Sequence, residues 1–335
     1  MRRTLFHFVV AVSMSAASMV SAVQAAVVSF GSGTNQFNME FVTIGNPGNA
    51  PDTRSSSRPL SATLGSVGYT YGIGKFEVRR DMITKFNASQ SLKISIEDMT
   101  SYGGNGPNKP ATGISWNEAA RFVNWLNTST GNQAAYKFAD GSAVNEDIQL
   151  WQSGDAGYDS SNPYRNSLAK YVLPSYNEWY KAAYYSPSGT YYDYANGSNT
   201  APTAVASGTA ANTAVYLQPH GQGPADVDQA GGLSPYGVMG LGGNVWEVEE
   251  SSFDLAHSSG SSLRGLRGGY WSHNSDVLLS SSRHNIIRSL GDIDDGFRVA
   301  SLFSSAPPAV PEPSMMVIGT LFGIGGLVAR RRMKK

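Results

Sequence analysis

The chain has 335 residues, no cysteine, and 25 basic (Lys+Arg) and 25 acidic residues. Without cysteine it has no disulfide, no thiol nucleophile and no thiolate metal site. Seven of the basic residues lie at the two ends, so the central part of the chain is acidic. A nucleic-acid partner would require a basic face, and none is expected here. A central part of roughly 280 residues can bury a core without disulfides.

The first 25 residues have the pattern of a secretory signal peptide. Arg2 and Arg3 precede an apolar run, and small residues end the segment at Ala25. We therefore expect residues 1–25 to be removed during export through the secretion machinery, which leaves a mature chain that begins near Ala26.

Three segments are predicted to be helical. The first carries three apolar residues at helical spacing, Met82, Ile83 and Phe86. The second begins after Ser115, which forms a capping box with Glu118 and precedes apolar residues at positions i, i+3, i+4 and i+7. The third repeats this arrangement with Ser175 and Glu178, and Pro187 is expected to end it.

Three segments have the aromatic and β-branched content of short strands. They are YGIGKFEV (71–78), GLRGGYW (265–271) and DGFRVASLF (295–303). The long segment 185–243 is rich in Gly, Ser, Thr, Ala and Asn, but isolated tyrosines recur through it. We therefore expect an ordered loop there.

The chain beyond residue 303 resembles a PEP-CTERM sorting signal. A linker and the motif Pro311-Glu312-Pro313 occupy residues 304–313, and residues 314–335 contain an apolar run followed by a basic cluster. An apolar helix of 15 residues covers about 22 Å, less than the roughly 30 Å of a hydrocarbon core. The resemblance implies transient membrane insertion of this helix and cleavage near the motif by an exosortase-type protease. An ordinary C-terminal tail anchor is the alternative.

Six segments of the central part resemble, in order, the formylglycine-generating-enzyme (sulfatase-modifying factor) family. They are residues 71–78, ATGISWNEAARFVNWLN (111–127), YVLPSYNEWYKAAYY (171–185), SPYGVMGLGGNVWEV (234–248), LRGGYW (266–271) and GFRVA (296–300). The resemblance implies one domain over residues 26–303 with that family's variant of the C-type lectin fold. This is an α+β fold, rich in loops, with a few short strands and two or three helices.

In the family's oxidases, two cysteines five residues apart follow the Arg-Gly-Gly strand and bind copper. The corresponding residues here are His273 and Leu278. The chain therefore has no copper-thiolate site and cannot carry out formylglycine-generating oxidation. A metal-dependent oxidoreductase of the same family remains an alternative, with His273, His284 and a carboxylate as metal ligands. The candidate carboxylates nearby are Asp276, Asp292, Asp294 and Asp295.

Calcium is the other candidate cofactor. In the family, the Gly-Asn-Val-Trp-Glu loop offers oxygen ligands to Ca²⁺, and these correspond here to Gly243, Val245 and Glu247. The family often adds an Asn or Asp three residues before the glycine, where this chain has Gly240, so the site would be weakened. The alternative is that Glu247 pairs with an arginine.

The other charged residues of the motifs are expected to be structural or solvated. Three arginines are expected to brace loops through paired hydrogen bonds, namely Arg267, Arg283 and Arg298. Glu249 and Glu250 are adjacent in the sequence, and we expect both to be exposed to solvent rather than to form an acid/base pair.

A ligand surface is predicted directly after the Arg-Gly-Gly strand. Tyr270, Trp271 and His273 are expected to face a ligand, and Asn274 and Asn285 would add amide groups beside them. Aromatic faces with neighbouring amides suit a saccharide or a peptide. The sequence therefore predicts an exported binding protein of the cell surface or extracellular matrix that lacks the catalytic cysteines of the family's oxidases. Exopolysaccharide or a surface protein is the expected partner.

Overall fold

A computed structural model describes residues 26–54, 63–139 and 146–302. The predicted signal peptide (1–25), linker (304–313) and C-terminal segment (314–335) lie outside the described residues, as does Phe303. None of the helices in the described ranges has the length and apolar content needed to cross a bilayer.

Three helices and thirteen short strands occupy these ranges. The helices are α1 (Arg80–Ser89), α2 (Trp116–Thr128) and α3 (Tyr176–Tyr184). The strands are β1 (Ala26–Phe30), β2 (Phe37–Ile44), β3 (Tyr71–Gly74), β4 (Lys137–Phe138), β5 (Ile148–Gln149), β6 (Tyr171–Val172), β7 (Thr203–Ala204), β8 (Thr213–Ala214), β9 (Trp246–Ser252), β10 (Arg264–Arg267), β11 (His284–Ile286), β12 (Asp295–Gly296) and β13 (Ala300–Leu302). The predicted α+β class with three helices and abundant loops is confirmed.

Two sheets organise the domain. In the larger one the strand order is β1-β2-β3-β13-β6, and every neighbouring pair is antiparallel. Ile73 of β3 lies opposite Val42 on one side and Ala300 on the other. The sheet therefore joins the first and last strands of the described chain. The smaller sheet has the order β11-β10-β9-β12, with β12 parallel to β9.

Both predicted capping boxes are present. At α2 the Ser115 Oγ accepts a hydrogen bond from the Glu118 amide at 3.2 Å, and the Ser115 amide donates to Glu118 Oε2 at 2.9 Å. Ser175 and Glu178 make the same reciprocal bonds at α3. Each box satisfies amides that the first helical turn leaves without partners. The third helix ends at Tyr184, before Pro187 is reached.

The capping box of α2 should make a measurable contribution to stability. Ser115→Ala removes the acceptor of the Glu118 amide, and we expect the free energy of unfolding to fall by about 1 kcal/mol. Urea denaturation followed by tryptophan fluorescence measures this change. Ser115→Thr, which keeps the hydroxyl, should recover most of it; equal loss in both variants would contradict a capping effect.

The predicted strands are shorter than their motifs. Segment 71–78 forms a strand only as far as Gly74, and segment 295–303 forms two separate strands, β12 and β13. Segment 265–271 leaves the sheet after Arg267, because Gly268 and Gly269 adopt left-handed backbone angles of φ 95° and 77°. The residues after this turn therefore no longer belong to the smaller sheet.

The core is built from aromatic rings and the apolar faces of the helices. Phe86 of α1 and Phe122 of α2 pack with ring centroids 5.7 Å apart, and Phe37 of β2 stacks on Phe122 at 6.2 Å. A second cluster surrounds Trp179 of α3. The loop 185–243 contains only β7, β8 and two 3₁₀ turns, yet it buries tyrosines. It is ordered, as predicted.

Candidate functional site

Strand β9 carries three carboxylates into the interior. Glu247, Glu249 and Glu250 are each fully buried. The prediction that Glu249 and Glu250 are solvated is therefore wrong. Successive side chains of a strand point to opposite faces, so both faces of β9 must be covered at this point. Buried carboxylates require paired cations, and the structure provides them.

Arginines from distant segments neutralise these carboxylates. Arg298 Nε donates to Glu247 at 2.5 Å, and Arg267 Nε donates to Glu249 at 2.7 Å. Arg283 Nε also donates to Glu249, at 2.8 Å. The predicted bracing role of these three arginines is confirmed. A fourth, Arg165, which the motifs did not single out, bridges Glu250 to Glu178 of α3.

The predicted calcium ligands include a carboxylate that already has partners. Both oxygens of Glu247 accept hydrogen bonds from Arg298, and Trp179 Nε1 donates to Glu247 Oε2 at 2.7 Å. This is the alternative in which the glutamate pairs with an arginine. A calcium ion bound by Gly243, Val245 and Glu247 would have to displace the guanidinium. The residues therefore fit Ca²⁺ poorly as arranged, and the calcium site stays a prediction.

A further buried carboxylate lies beside this network. Glu77 Oε1 accepts a hydrogen bond from Asn244 Nδ2 at 2.9 Å, whereas Glu77 Oε2 is buried without a hydrogen-bond partner. Burial raises the pKa of Glu77 to about 7, even though the Arg298 charge acts in the opposite direction. The sequence pattern around Glu77 does not indicate a group that titrates near neutral pH.

The segment after Gly269 contributes to a cluster of neighbouring rings, in which the Trp246 ring is buried. The rings of Tyr270 and His273 lie 4.1 Å apart, and the ring of Trp246 lies 5.9 Å from His273 and 4.8 Å from His284. On the other side, His220 lies 6.3 Å from the ring of Tyr270. We call this set the aromatic-histidine surface. Its members are Tyr102, His220, Trp246, Tyr270, Trp271, His273 and His284.

The members of this surface differ in exposure. His220 and His284 are exposed, and Tyr102, Tyr270 and His273 are half-buried. Against the prediction, Trp271 is fully buried, and its Nε1 donates to the carbonyl oxygen of His220 at 2.8 Å. It supports the surface from beneath rather than facing a ligand.

Two members come from segments that the sequence analysis did not connect with the site. Tyr102 and His220 lie 5.0 Å apart, ring to ring, although more than one hundred residues separate them in the chain. No local pattern marks either residue. Isolated aromatics in the loop 185–243 were the one available signal that this segment is ordered.

An exposed leucine adjoins the surface. Leu217 is 63% exposed, and its amide donates to the carbonyl oxygen of His273 at 2.8 Å. Its backbone adopts a left-handed conformation with φ 54°. Such a conformation is unfavourable for a residue with a Cβ, and the exposure of an apolar side chain adds no compensating burial. Strain of this kind is often retained at binding sites.

The residues predicted for a redox metal do not converge. His273 and His284 both contact Trp246, and burial, together with the positive charge of His284, lowers the pKa of His273. Within residues 26–54, 63–139 and 146–302, no group of three or more His, Asp or Glu side chains could hold a metal ion. Leu278, at the second cysteine position of the oxidases, is buried among aromatic side chains.

Three aspartates border the surface. The carbonyl oxygen of Asp294 accepts a hydrogen bond from the Trp246 amide at 2.8 Å, which places this loop beside the surface. Burial and the charge of Asp292 raise the pKa of Asp294 to about 6. Burial and the charge of Asp294 raise the pKa of Asp295 to about 8. Asp292 is exposed, Asp294 half-buried and Asp295 buried.

The predicted amides and the fourth candidate carboxylate lie on exposed segments. Asn274 is exposed and its side chain accepts a hydrogen bond from the Asp276 amide at 3.2 Å, at the start of a 3₁₀ turn. Asn285 is exposed on strand β11, which lies at the edge of the smaller sheet. Both amide side chains are exposed to solvent, and a ligand could therefore reach them.

One pocket is lined by residues that lie outside the aromatic-histidine surface. It is lined in part by Tyr194, Asn196 and Leu278 and has space for about one water molecule, about 20 Å³. This volume is too small for an organic substrate, since ligand pockets usually measure about 300 Å³ or more. The exposed aromatic-histidine surface is therefore the better candidate for ligand contact.

The comparisons with known proteins agree with this fold. Residues 56–302 match the model of the sulfatase-modifying factor enzyme 1-like domain. Among the solved structures, Treponema denticola variable protein 1 is 20% identical with a TM-score of 0.54, and the alignment covers 83% of this chain and 98% of that one. The crystal structure of CarF is 19% identical with a TM-score of 0.53, covering 79% and 99% respectively.

A third similar structure is PvdO from Pseudomonas aeruginosa, 18% identical with a TM-score of 0.51, covering 82% of this chain and 98% of that one. A comparison with the curated proteins finds no match. At these identities the solved structures establish the fold alone, whereas the family model covers most of the chain. The chain therefore belongs to the family of the sulfatase-modifying factor enzyme 1-like domain.

Proposed function

We propose that this protein is an exported binding protein of the cell surface or extracellular matrix, and that its aromatic-histidine surface holds the ligand. The observation that carries the proposal is the row of exposed and half-buried rings from Tyr102 to His273, with the exposed and strained Leu217 beside it. Exposed aromatic side chains supply large contact area at low entropic cost and are common at binding surfaces.

Export is supported by the signal-peptide pattern of residues 1–25 and by the motif Pro311-Glu312-Pro313. In this proposal an exosortase-type protease releases the protein after transient membrane insertion of its C-terminal apolar segment. A polysaccharide of the extracellular matrix is the proposed ligand, and a surface protein is the alternative. The alternative, a metal-dependent oxidoreductase, is not favoured, because no contact among the described residues brings metal ligands together.

Variants of the surface test this proposal. The full-length protein is applied to a glycan array that contains neutral, acidic and amine-bearing saccharides. Tyr270→Ala should weaken binding to the strongest glycan about tenfold or more, as expected for a central aromatic contact. Leu217→Gly should also weaken binding, although its melting temperature should not fall because glycine relieves the left-handed strain.

Tyr158→Ala is the matched control, since Tyr158 is an exposed tyrosine outside the aromatic-histidine surface. It should leave binding unchanged. The proposal is overturned if the wild-type protein binds no glycan above background, or if Tyr158→Ala weakens binding as strongly as Tyr270→Ala does.

A further inference from the structure

We propose that the ligand of the aromatic-histidine surface carries protonated amino groups, as a polysaccharide of free amino sugars does. This inference rests on the proposed function and names the chemical class of its ligand. Three features support it: the negative charges beside the surface, the lack of cation-π contacts between its rings and the lysines and arginines of the described residues, and the shape of the surface.

The charges beside the surface are negative. Asp292 is exposed and Asp294 is half-buried, and the loop that carries them is bonded through the Asp294 carbonyl to the amide of Trp246. Burial raises the pKa of Tyr270, and the charge of the Asp294 carboxylate beside it acts in the same direction. At neutral pH the Asp294 side chain is largely ionised, because its pKa is about 6.

The protein's own cations are placed elsewhere. The described residues contain cation-π contacts of lysine or arginine with rings such as those of Trp116, Tyr164 and Tyr176, and none of these contacts involves a ring of the aromatic-histidine surface. The arginines near these rings in the sequence pair with carboxylates: Arg267 and Arg283 with Glu249, and Arg288 with Asp147. The rings and the bordering aspartates are thus available to an external cation.

Aromatic rings beside carboxylates attract an ammonium group in two ways. The ring face carries a negative quadrupole, which attracts a cation by about 0.5–1 kcal/mol at an exposed site. The carboxylates add a Coulomb attraction that salt screens. A neutral ligand of the same shape would gain neither contribution. A large anionic ligand would be repelled.

The shape of the surface favours a saccharide over a peptide side chain. A single ammonium side chain is usually enclosed by rings, whereas here the accessible rings form an extended row from Tyr102 to His273. The apolar faces of successive sugar rings can pack along such a row. Exposed amides at Asn274 and Asn285 can bond to hydroxyl groups.

Matched oligosaccharides test the inference. Titration calorimetry at neutral pH compares the full-length protein with glucosamine oligomers and with N-acetylglucosamine oligomers of equal length, which differ in charge. We expect the glucosamine oligomer to bind at least about tenfold more tightly, and we expect this difference to shrink as salt is added.

The double variant Asp292→Asn/Asp294→Asn should abolish the difference without weakening the N-acetylated oligomer. It should fold, because burial already disfavours the charged form of Asp294. Asp159→Asn, at a half-buried aspartate outside the surface, is the control and should preserve the difference.

Three results would overturn the inference. Equal affinity for both oligomers would show that the amine is not recognised, and the proposed binding function would stand. Tight binding of oligolysine without binding of glucosamine oligomers would indicate a basic peptide instead. Failure of both oligomers to bind, while another glycan on the array binds and depends on Tyr270, would exclude amino sugars but not the binding function.

Discussion

Arg165→Met is expected to lower the free energy of unfolding by about 3–5 kcal/mol. The Arg165 side chain is 6% exposed, and it donates to Glu178 through both terminal nitrogens and to Glu250 through Nε. Methionine has a similar length and no charge, so the variant leaves two buried carboxylates without their shared cation. Urea denaturation followed by tryptophan fluorescence measures the loss.

Arg288→Met is the matched control. Arg288 contacts Asp147 through two hydrogen bonds of 2.8 and 2.9 Å, but the side chains of this pair are 25% and 36% exposed. Exposed ion pairs contribute about 0–1 kcal/mol, so this variant should lose little stability. If both variants lost the same free energy of unfolding, the burial of the Arg165 ion pairs would not explain the effect of Arg165→Met.

A second variant covers the case in which Arg165→Met does not fold. Adding Glu250→Gln removes one of the two uncompensated charges, and the double variant should recover part of the lost stability. Glu250 is the better choice because burial raises its pKa despite the charge of Arg165, whereas the pKa of Glu178 is lowered. No recovery would indicate that packing of the Arg165 side chain matters more than its charge.

Glu77→Gln is expected to change how stability depends on pH. The pKa of Glu77 is about 7 in the folded protein against an ordinary value of 4.5. Between these values the folded state holds a proton that the unfolded state has lost, so the wild-type protein loses stability as pH rises from about 4.5 to 7. Above pH 7 the loss is complete, and it amounts to about 3 kcal/mol at most.

Glutamine mimics the protonated side chain at every pH. The variant should therefore match the wild type near pH 4.5 and be more stable near pH 8, with a higher melting temperature. Other acidic groups with raised pKa values, such as Asp294 and Asp295, contribute equally to both proteins. The difference between the two curves isolates Glu77, and parallel curves would show that this residue does not titrate as described.

Local structure was the part of this protein that its sequence predicted best. The helices after Ser115 and Ser175 begin where their capping boxes require, because both partners of each box lie three residues apart. The exception is the turn after Arg267: the strand was expected to continue to Trp271, but two successive glycines adopt left-handed conformations. The family motifs, in their order along the chain, were sufficient to predict the fold class.

The burial of β9 could not be predicted in this way. Glu249 and Glu250 are adjacent acidic residues, and most such pairs are solvated. Their partners lie 18 and 85 residues away, at Arg267 and Arg165. Only the pairing of β9 with β10, and its packing against the segment that carries Arg165, brings these charges together.

The ligand surface was predicted only in part, again because some of its contacts join segments that are far apart in the chain. The segment from Tyr270 to Asn274 was identifiable because it follows the Arg-Gly-Gly motif directly, but the burial of Trp271 depends on the loop that carries His220. The sequence by itself determined the helix starts, the fold family and the absence of thiol chemistry, since each depends on residue identity or on bonds between near neighbours. Tertiary structure alone decided which charges are neutralised and which rings are exposed, because those depend on contacts between segments far apart in the chain.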